Sequence, residues 1–415
     1  MKKMFKGLGL LSAVAVILTG CGNAGEDTAA SSRHLEVFSQ KKEMTTQLQQ
    51  IVDGFNEEYE AEVELVTVPD PGTVLKTRIS NNDAPDIINI YPQNADFQLW
   101  ANDDQFVDLT EEPLFDKLIE GAAEQYAVND KIYNLPLTTN AWGFFYNVDK
   151  FEELGLEVPE SWEEFEQLVA DIQAAGEIPF AGSFSTQDSW TLNGYHQLAW
   201  ANAAGGAEEA NEYLRFSEQD AISADDAVTQ DVAKQLSLLV GTAQPNANGA
   251  SYADAVAAFA NGKGLILPNG IWALPAINEQ QPEFTVRSFA YPGKELGEAY
   301  TVGAADLAFS ISSQSDNQEL AKQFLDYIST PEVLDIYYQV DGMPTSLEAM
   351  QDEQAFEETE GVTRLAFTEH QMIWLQKDWD SEESFWHSTV DFINSGGDIE
   401  QLANSLNQVF NPMKN

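Results

Sequence analysis

The residues of this 415-residue chain that could do covalent or metal chemistry are few in type: four histidines, one cysteine, and 68 aspartates and glutamates. His34, His196, His370 and His387 are scattered, with no metal-ligand spacing. The sequence has no phosphate-cradling P-loop, no G-x-S-x-G elbow and no H-E-x-x-H helix. It also has no D-x-[DN]-x-[DN]-G calcium loop. A glycosidase needs two carboxylates flanking one bond, and no pair stands out among so many acids. Cys21, alone, can form no internal disulfide and lacks the partners of a zinc site. These residues argue against catalysis, and no cofactor or metal is expected.

The aromatic residues say more. A sugar has hydroxyls at its edge and apolar C–H faces, so its site needs flat aromatic platforms beside planar polar groups. "PNGIWALP" puts Trp272 just past Asn269-Gly270, and "STQDSWTLNGYHQ" puts Trp190 among small polar residues. "EESFWHSTV" sets Trp386 beside His387, and "TTNAWGFFYN" sets Asn140 near Trp142. Trp162 instead opens a regular apolar helix face and is expected in a core.

The elements that must hold these side chains follow from periodicity. "HLEVFS" (34–39) alternates as a strand, and Met44, Leu48, Ile51, Phe55 and Tyr59 then line one helical face over 42–59. A strand over 61–68, a short helix over 74–83 and a buried strand over 85–91 complete a β-α-β-α-β order, which predicts a parallel sheet. Residues 129–147 read as strand-like. Residues 158–176 read as a helix with a Ser161/Glu164 capping box and a Gly176 stop, followed by a strand over 178–184. Helix, Gly turn, strand, loop and helix follow over 251–277, and a strand region over 301–312. Helices are predicted at 317–329, at 331–340 with Thr330-Pro331 at its start, and over 396–410 with Asp398 at the cap.

The chain opens with "MKKMFKGLGLLSAVAVILTGC". Lys2, Lys3 and Lys6 precede an apolar run too short for a spanning helix, which needs about 20 residues. This predicts an export signal over 1–20. Leu18-Thr19-Gly20-Cys21 resembles a bacterial lipobox, which implies cleavage before Cys21 and a lipid on its thiol. Residues 21–33 are small and polar and read as a flexible tether. The expected place is the outer face of a Gram-positive bacterial cell membrane. A formal charge of −48 excludes a basic nucleic-acid face and argues against docking of the folded part on anionic lipid.

Five stretches in order resemble landmarks of the family 1 extracellular solute-binding proteins, the maltose-binding-protein-like receptors of ABC sugar importers. They are "APDIINIYPQN", "NDKIYNLPLTTNAWGFFYNVDKFEELGLEVPESWEEF", "FANGKGLILPNGIW", "SSQSDNQELAKQFLDYISTPE" and "FWHSTVDFINSGGDIEQLANSLNQVF". The resemblance implies an α/β, two-lobed periplasmic-binding-protein-like fold of class II type, with the ligand cleft between lobes. Lobe one would take 34–140 plus 296–343, and lobe two 141–295 plus 344–415. It implies ligand contacts from Gln40, Lys42, Gln93, Asn94, Asn140, Trp190, Trp272, Asp306, Trp386 and His387. The implied partners are an oligosaccharide, taken as an α-linked di- or trisaccharide, and the transmembrane subunits of an ABC permease. The receptor would be a monomer and would do no covalent chemistry. The alternatives are a receptor for a polyol or glycerophosphodiester, or a surface lipoprotein that binds or hydrolyses glycans.

Overall fold

His34–Ser39 is buried on both faces. Val37 points into one hydrophobic cluster with Ile87 and Phe309, while Phe38 points into another with Ile88 and Phe97. This two-sided burial is what a central strand of a helix-covered sheet requires. The computed structural model describes residues 33–351 and 356–414. The expectations for Cys21, the export signal and most of the tether lie outside the described residues.

The first lobe is built on a five-stranded sheet ordered Glu62–Thr67, His34–Ser39, Ile87–Asn89, Ala308–Ile311, Leu135–Pro136. The first three run parallel, in register Leu35↔Val63 and Val37↔Ile87. Ala308–Ile311 runs antiparallel to its neighbours, with Phe309 opposite Asn89. Helix Thr45–Tyr59 covers one face with Leu48, Ile51, Val52 and Phe55, and ends on a left-handed Glu60. Helix Pro71–Ser80 starts earlier than its apolar pattern suggests, because Asp70 accepts the Thr73 N–H and Pro71 fills the first turn.

The second lobe is built around Trp142–Asn147, antiparallel to Ile266–Gly270 and Val286–Phe289. Phe144 packs there against Phe165, Phe289, Tyr195 and Tyr291. Helix Trp162–Ala174 supplies Phe165, and Trp162 stacks on Tyr291 in the same core. Its Ser161 Oγ accepts the Glu164 N–H, but the Glu164 carboxylate accepts from the Glu160 N–H, so the expected box is displaced by one residue. A complete capping box forms instead at Ser251 and Asp254.

Three predicted segments differ. Residues 178–184 hold only two isolated bridges, from Phe180 to Ala243 and to Ile266, because the Gln244 side chain accepts the Gly182 N–H and donates to the Gly182 carbonyl where strand bonds would run. The 129–147 run breaks at Thr138 to Ala141, and the 301–312 run breaks after Val302. Both breaks are places where backbones cross between lobes. Thr139 bridges Ala305, Thr138 bridges Thr345, and the Asn140 N–H donates to the Ala304 carbonyl at 2.8 Å. A Cβ at Gly303 would lie 1.9 Å from the Asn140 carbonyl oxygen, so the close crossing requires glycine. Before its break, Ala299–Val302 pairs with Tyr291–Pro292 and with Gln371–Met372. Thr330 precedes Pro331 as expected, but its hydroxyl donates back to the Tyr327 carbonyl and does not cap the helix. Helix Ile399–Phe410 is capped by Asp398 as read. Among the described residues, no helix is long and apolar enough to cross a membrane.

Candidate functional site

Ligands of open α/β sheets collect beyond the carboxyl ends of parallel strands. Here that edge carries Gln40 and Lys41 after one strand, and Tyr91 and Gln93 after the next. Ala308–Ile311 runs the other way, so its entering residue, Asp306, arrives at the same edge. The Gln40 side chain donates to the Asn89 carbonyl at 3.0 Å.

A charged cluster forms at this edge. Lys41, only 4% exposed, ion-pairs with Asp306 and lies 3.4 Å from Glu43. The other Asp306 oxygen accepts from Asn140 Nδ2 at 3.0 Å. Asn140 Oδ1 in turn accepts the Ala304 N–H at 3.1 Å and the Trp374 indole N–H at 3.4 Å. Burial, the largest influence on Lys41, disfavours its ammonium. The combined attraction of Asp306, Tyr91, Glu43 and Tyr337 outweighs it and holds the lysine well above its ordinary value. Burial pushes the Tyr91 hydroxyl up to about 12, despite the Lys41 ammonium 5.8 Å from its ring.

An aromatic wall stands on the second lobe. Trp190 packs on Tyr252 at 5.3 Å and on Trp272 at 6.4 Å between ring centroids. Asp188 ties two of the three, accepting from the Trp190 indole at 3.3 Å and from the Tyr252 N–H at 2.9 Å. The Trp272 ring folds back over the chain, and a Cβ at Gly270 would come within 1.9 Å of it. The two walls face each other. Tyr252 is raised by burial first and next by Glu43 of the opposite lobe. Glu382 is likewise raised by burial first, with Asp96 and Lys76 of the first lobe acting on it.

Of the residues predicted from sequence, the structure joins Asn140 to Asp306, and Trp190 to Trp272. Gln93 reaches the same crossing, donating to the Ala305 carbonyl at 3.2 Å. Asn94 meets the second lobe, accepting from Gln376 at 3.2 Å. Trp386 sits on helix Glu383–Asn394, partly buried against the second core. His387 lies toward solvent, 3.8 Å from Glu383. Lys42 is not in the cluster: it is exposed, with its ammonium on the Pro69 carbonyl, and Lys41 holds the inner position. Lys41, Tyr91 and Tyr252 stand at the cleft without being among the residues expected there from sequence. Tyr91 had a usable signal, an aromatic between a buried strand and a helix start.

Three of the predicted residues carry a buried polar atom without a partner: Gln93 Oε1, Trp272 Nε1 and Trp386 Nε1. Such atoms are uncommon in folded proteins, and each one asks for an explanation. No group of three or more His, Cys, Asp or Glu placed to hold a metal ion occurs among the described residues.

A two-lobed α/β frame with a polar and aromatic cleft defines a class of solute receptors. The family description "Bacterial extracellular solute-binding protein" matches residues 50–364, and the chain belongs to that family. It is 42% identical to the multiple sugar-binding protein of Streptococcus mutans serotype c over 99% of both chains. Among solved structures, it is similar to the solute-binding protein RafE in complex with raffinose: 48% identity, TM-score 0.87, covering 92% of this chain and 99% of that one. It is also similar to apo RafE from Streptococcus pneumoniae: 47% identity, TM-score 0.82, covering 92% of this chain and 97% of that one.

Proposed function

We propose that this chain is the sugar receptor of an ABC importer. Its ligand is an α-linked di- or trisaccharide of the raffinose type, held between the Lys41–Asp306 wall and the Trp190–Trp272 wall. The observation that carries this reading is the set of unpartnered buried atoms. Two indole donors and one amide acceptor suit a ligand rich in hydroxyls, which both donate and accept, and the flat rings beside them suit its C–H faces. Relatives that bind sugars, by their names, support the same substrate class. The two lobes are joined at the crossings near Asn140, Ala304 and Thr345, which act as the hinge. The closed form is what the permease reads, and the chain acts by binding and closure, without covalent chemistry. Cys21 carries the lipid that holds the receptor, as a monomer, on the outer membrane face.

A thermal-shift and calorimetric series with raffinose, stachyose, isomaltose, maltose and a glycerophosphodiester tests this. A ligand at 100 times its Kd stabilises the folded state by about 2.7 kcal/mol. Trp272→Ala and Trp386→Ala should each weaken sugar binding by roughly 2 kcal/mol while the fold persists. Absence of any sugar response, or normal binding by both variants, defeats the reading. Cys21→Ser should release the protein from membranes with sugar binding unchanged.

A further inference from the structure

Asn94 stands at the N-cap of helix Ala95–Asn102, with the extended backbone that position requires (φ −88°, ψ 149°). Phe97 on that helix packs with Phe38 in the first lobe. The Asn94 side chain nevertheless makes no cap hydrogen bond. Its Oδ1 accepts from Gln376 Nε2 at 3.2 Å instead. Gln376 belongs to the second lobe, where Leu375 beside it and Trp379 three residues on are buried in the core. A helix start on one lobe has thus turned its capping oxygen to the other.

The direction of this bond is fixed from behind by a chain of buried amides. The Leu375 N–H donates to Gln197 Oε1 at 2.7 Å. Gln197 Nε2 is left to donate to Gln376 Oε1 at 2.7 Å and to Asn193 Oδ1 at 2.9 Å. Asn193 Nδ2 also donates to Gln376 Oε1, at 3.0 Å. With two donors on its oxygen, Gln376 can turn only its NH2 group toward the first lobe, and Asn94 can answer only with its oxygen. Asn193, Gln197 and Gln376 are all buried, so the second lobe holds this donor in a set direction.

We propose that Gln376 is a positioning residue for sugar binding, and that its bond to Asn94 latches the two lobes in the closed form. The proposal rests on the sugar-receptor reading for its ligand and its closing motion. As the cleft opens, Asn94 Oδ1 turns back to the first-turn N–H groups of its own helix, where an N-cap asparagine bonds. Closure exchanges that cap bond for a bond between lobes, so the oxygen has a partner in both forms and the bound sugar decides between them. Asn94 then raises affinity without touching the sugar, by populating the form that binds it.

The test is Asn94→Ser. Serine caps a helix as well as asparagine does but is too short to reach Gln376, so the Gln376 donor is left bare in the closed form alone. Calorimetry on the purified full-length protein should show raffinose binding weakened about fivefold, the size of one net hydrogen bond. Asn94→Asp, which keeps an acceptor oxygen in the same place, should recover most of that loss. Small-angle X-ray scattering of the ligand-free proteins is the second readout, one that neither a sugar contact nor a local structural role would move. There Asn94→Ser should show a larger radius of gyration than wild type. Unchanged raffinose affinity in Asn94→Ser, no recovery in Asn94→Asp, or equal radii of gyration overturns the proposal. If the wild type binds no raffinose, the sugar reading fails, and the scattering comparison alone decides whether Asn94 and Gln376 hold the lobes together.

Discussion

On the first lobe, Lys41, Asp306 and Asn140 use their polar atoms on one another; on the second, Trp272 and Trp386 hold indole N–H groups that meet nothing. The difference follows from charge. A buried ion left unpaired costs several kcal/mol, so the charged wall must be complete before any ligand arrives. A neutral N–H without a partner costs only about 1–3 kcal/mol, which a folded domain can carry. The first wall is therefore prearranged, and on the proposed function the second is where a bound sugar would add new hydrogen bonds.

Removing one partner of the ion pair breaks the comparison most sharply. Asp306→Ala leaves the buried Lys41 with only the more exposed Glu43 and strips Asn140 of its acceptor. Breaking a buried pair in this way costs about 3–5 kcal/mol. Urea unfolding should show that loss, and a loss below about 1 kcal/mol would mean the wall is not prearranged.

Acid probes the aromatic side. His196 is fully buried and neutral, stacked on Phe385 at 4.1 Å, with Thr389 and the Trp200 indole on its two nitrogens. Phe385 precedes Trp386 on the same helix, so this histidine braces the platform. Burial depresses His196 to about 3, against about 6.5 unfolded. The unfolded chain binds the proton more tightly, so this contribution is complete above pH 6.5 and is lost as pH falls towards 3. The slope is at most about 1.4 kcal/mol per pH unit. Between pH 6.5 and 5, His196→Gln should fall less steeply than wild type, and equal slopes would contradict the assignment.

The smallest effect separates the adjacent lysines. Lys42→Ala should stay within about 0.5 kcal/mol of wild type in stability, since it removes an exposed contact to the Pro69 carbonyl. A strong loss of sugar affinity in that variant would return Lys42 to the site.

What was legible in the sequence follows the range of the forces involved. The helices at Thr45–Tyr59 and Ile399–Phe410 are set by apolar spacing and by local caps, and both were readable. The breaks at Thr138–Ala141 and after Val302 were not, because Asn140 and Ala304 bond each other across more than 160 positions. The predicted strand at 178–184 failed for the same reason, a side chain 62 residues away taking its bonds. Of the candidate residues, Asp306 was reached only through the family resemblance, while Asn140 and the tryptophans stood in recognisable surroundings. Lys41 did not: nothing in a Lys-Lys pair says which one turns inward. The Ser39 hydroxyl, which accepts the Lys41 N–H at 3.0 Å, helps to set that turn. Tyr252 read only as a helix start, and its role depends on Trp190 and Asp188 far along the chain.

Gly270 has a consequence for how this protein could be silenced. The indole of Trp272 rests on bare backbone there, with no room for a methyl group. A change to alanine would tip the ring away while every side chain that faces the cleft kept its chemical identity. If the proposed platform holds the sugar, its most vulnerable point is thus a residue that no inventory of cleft side chains would include.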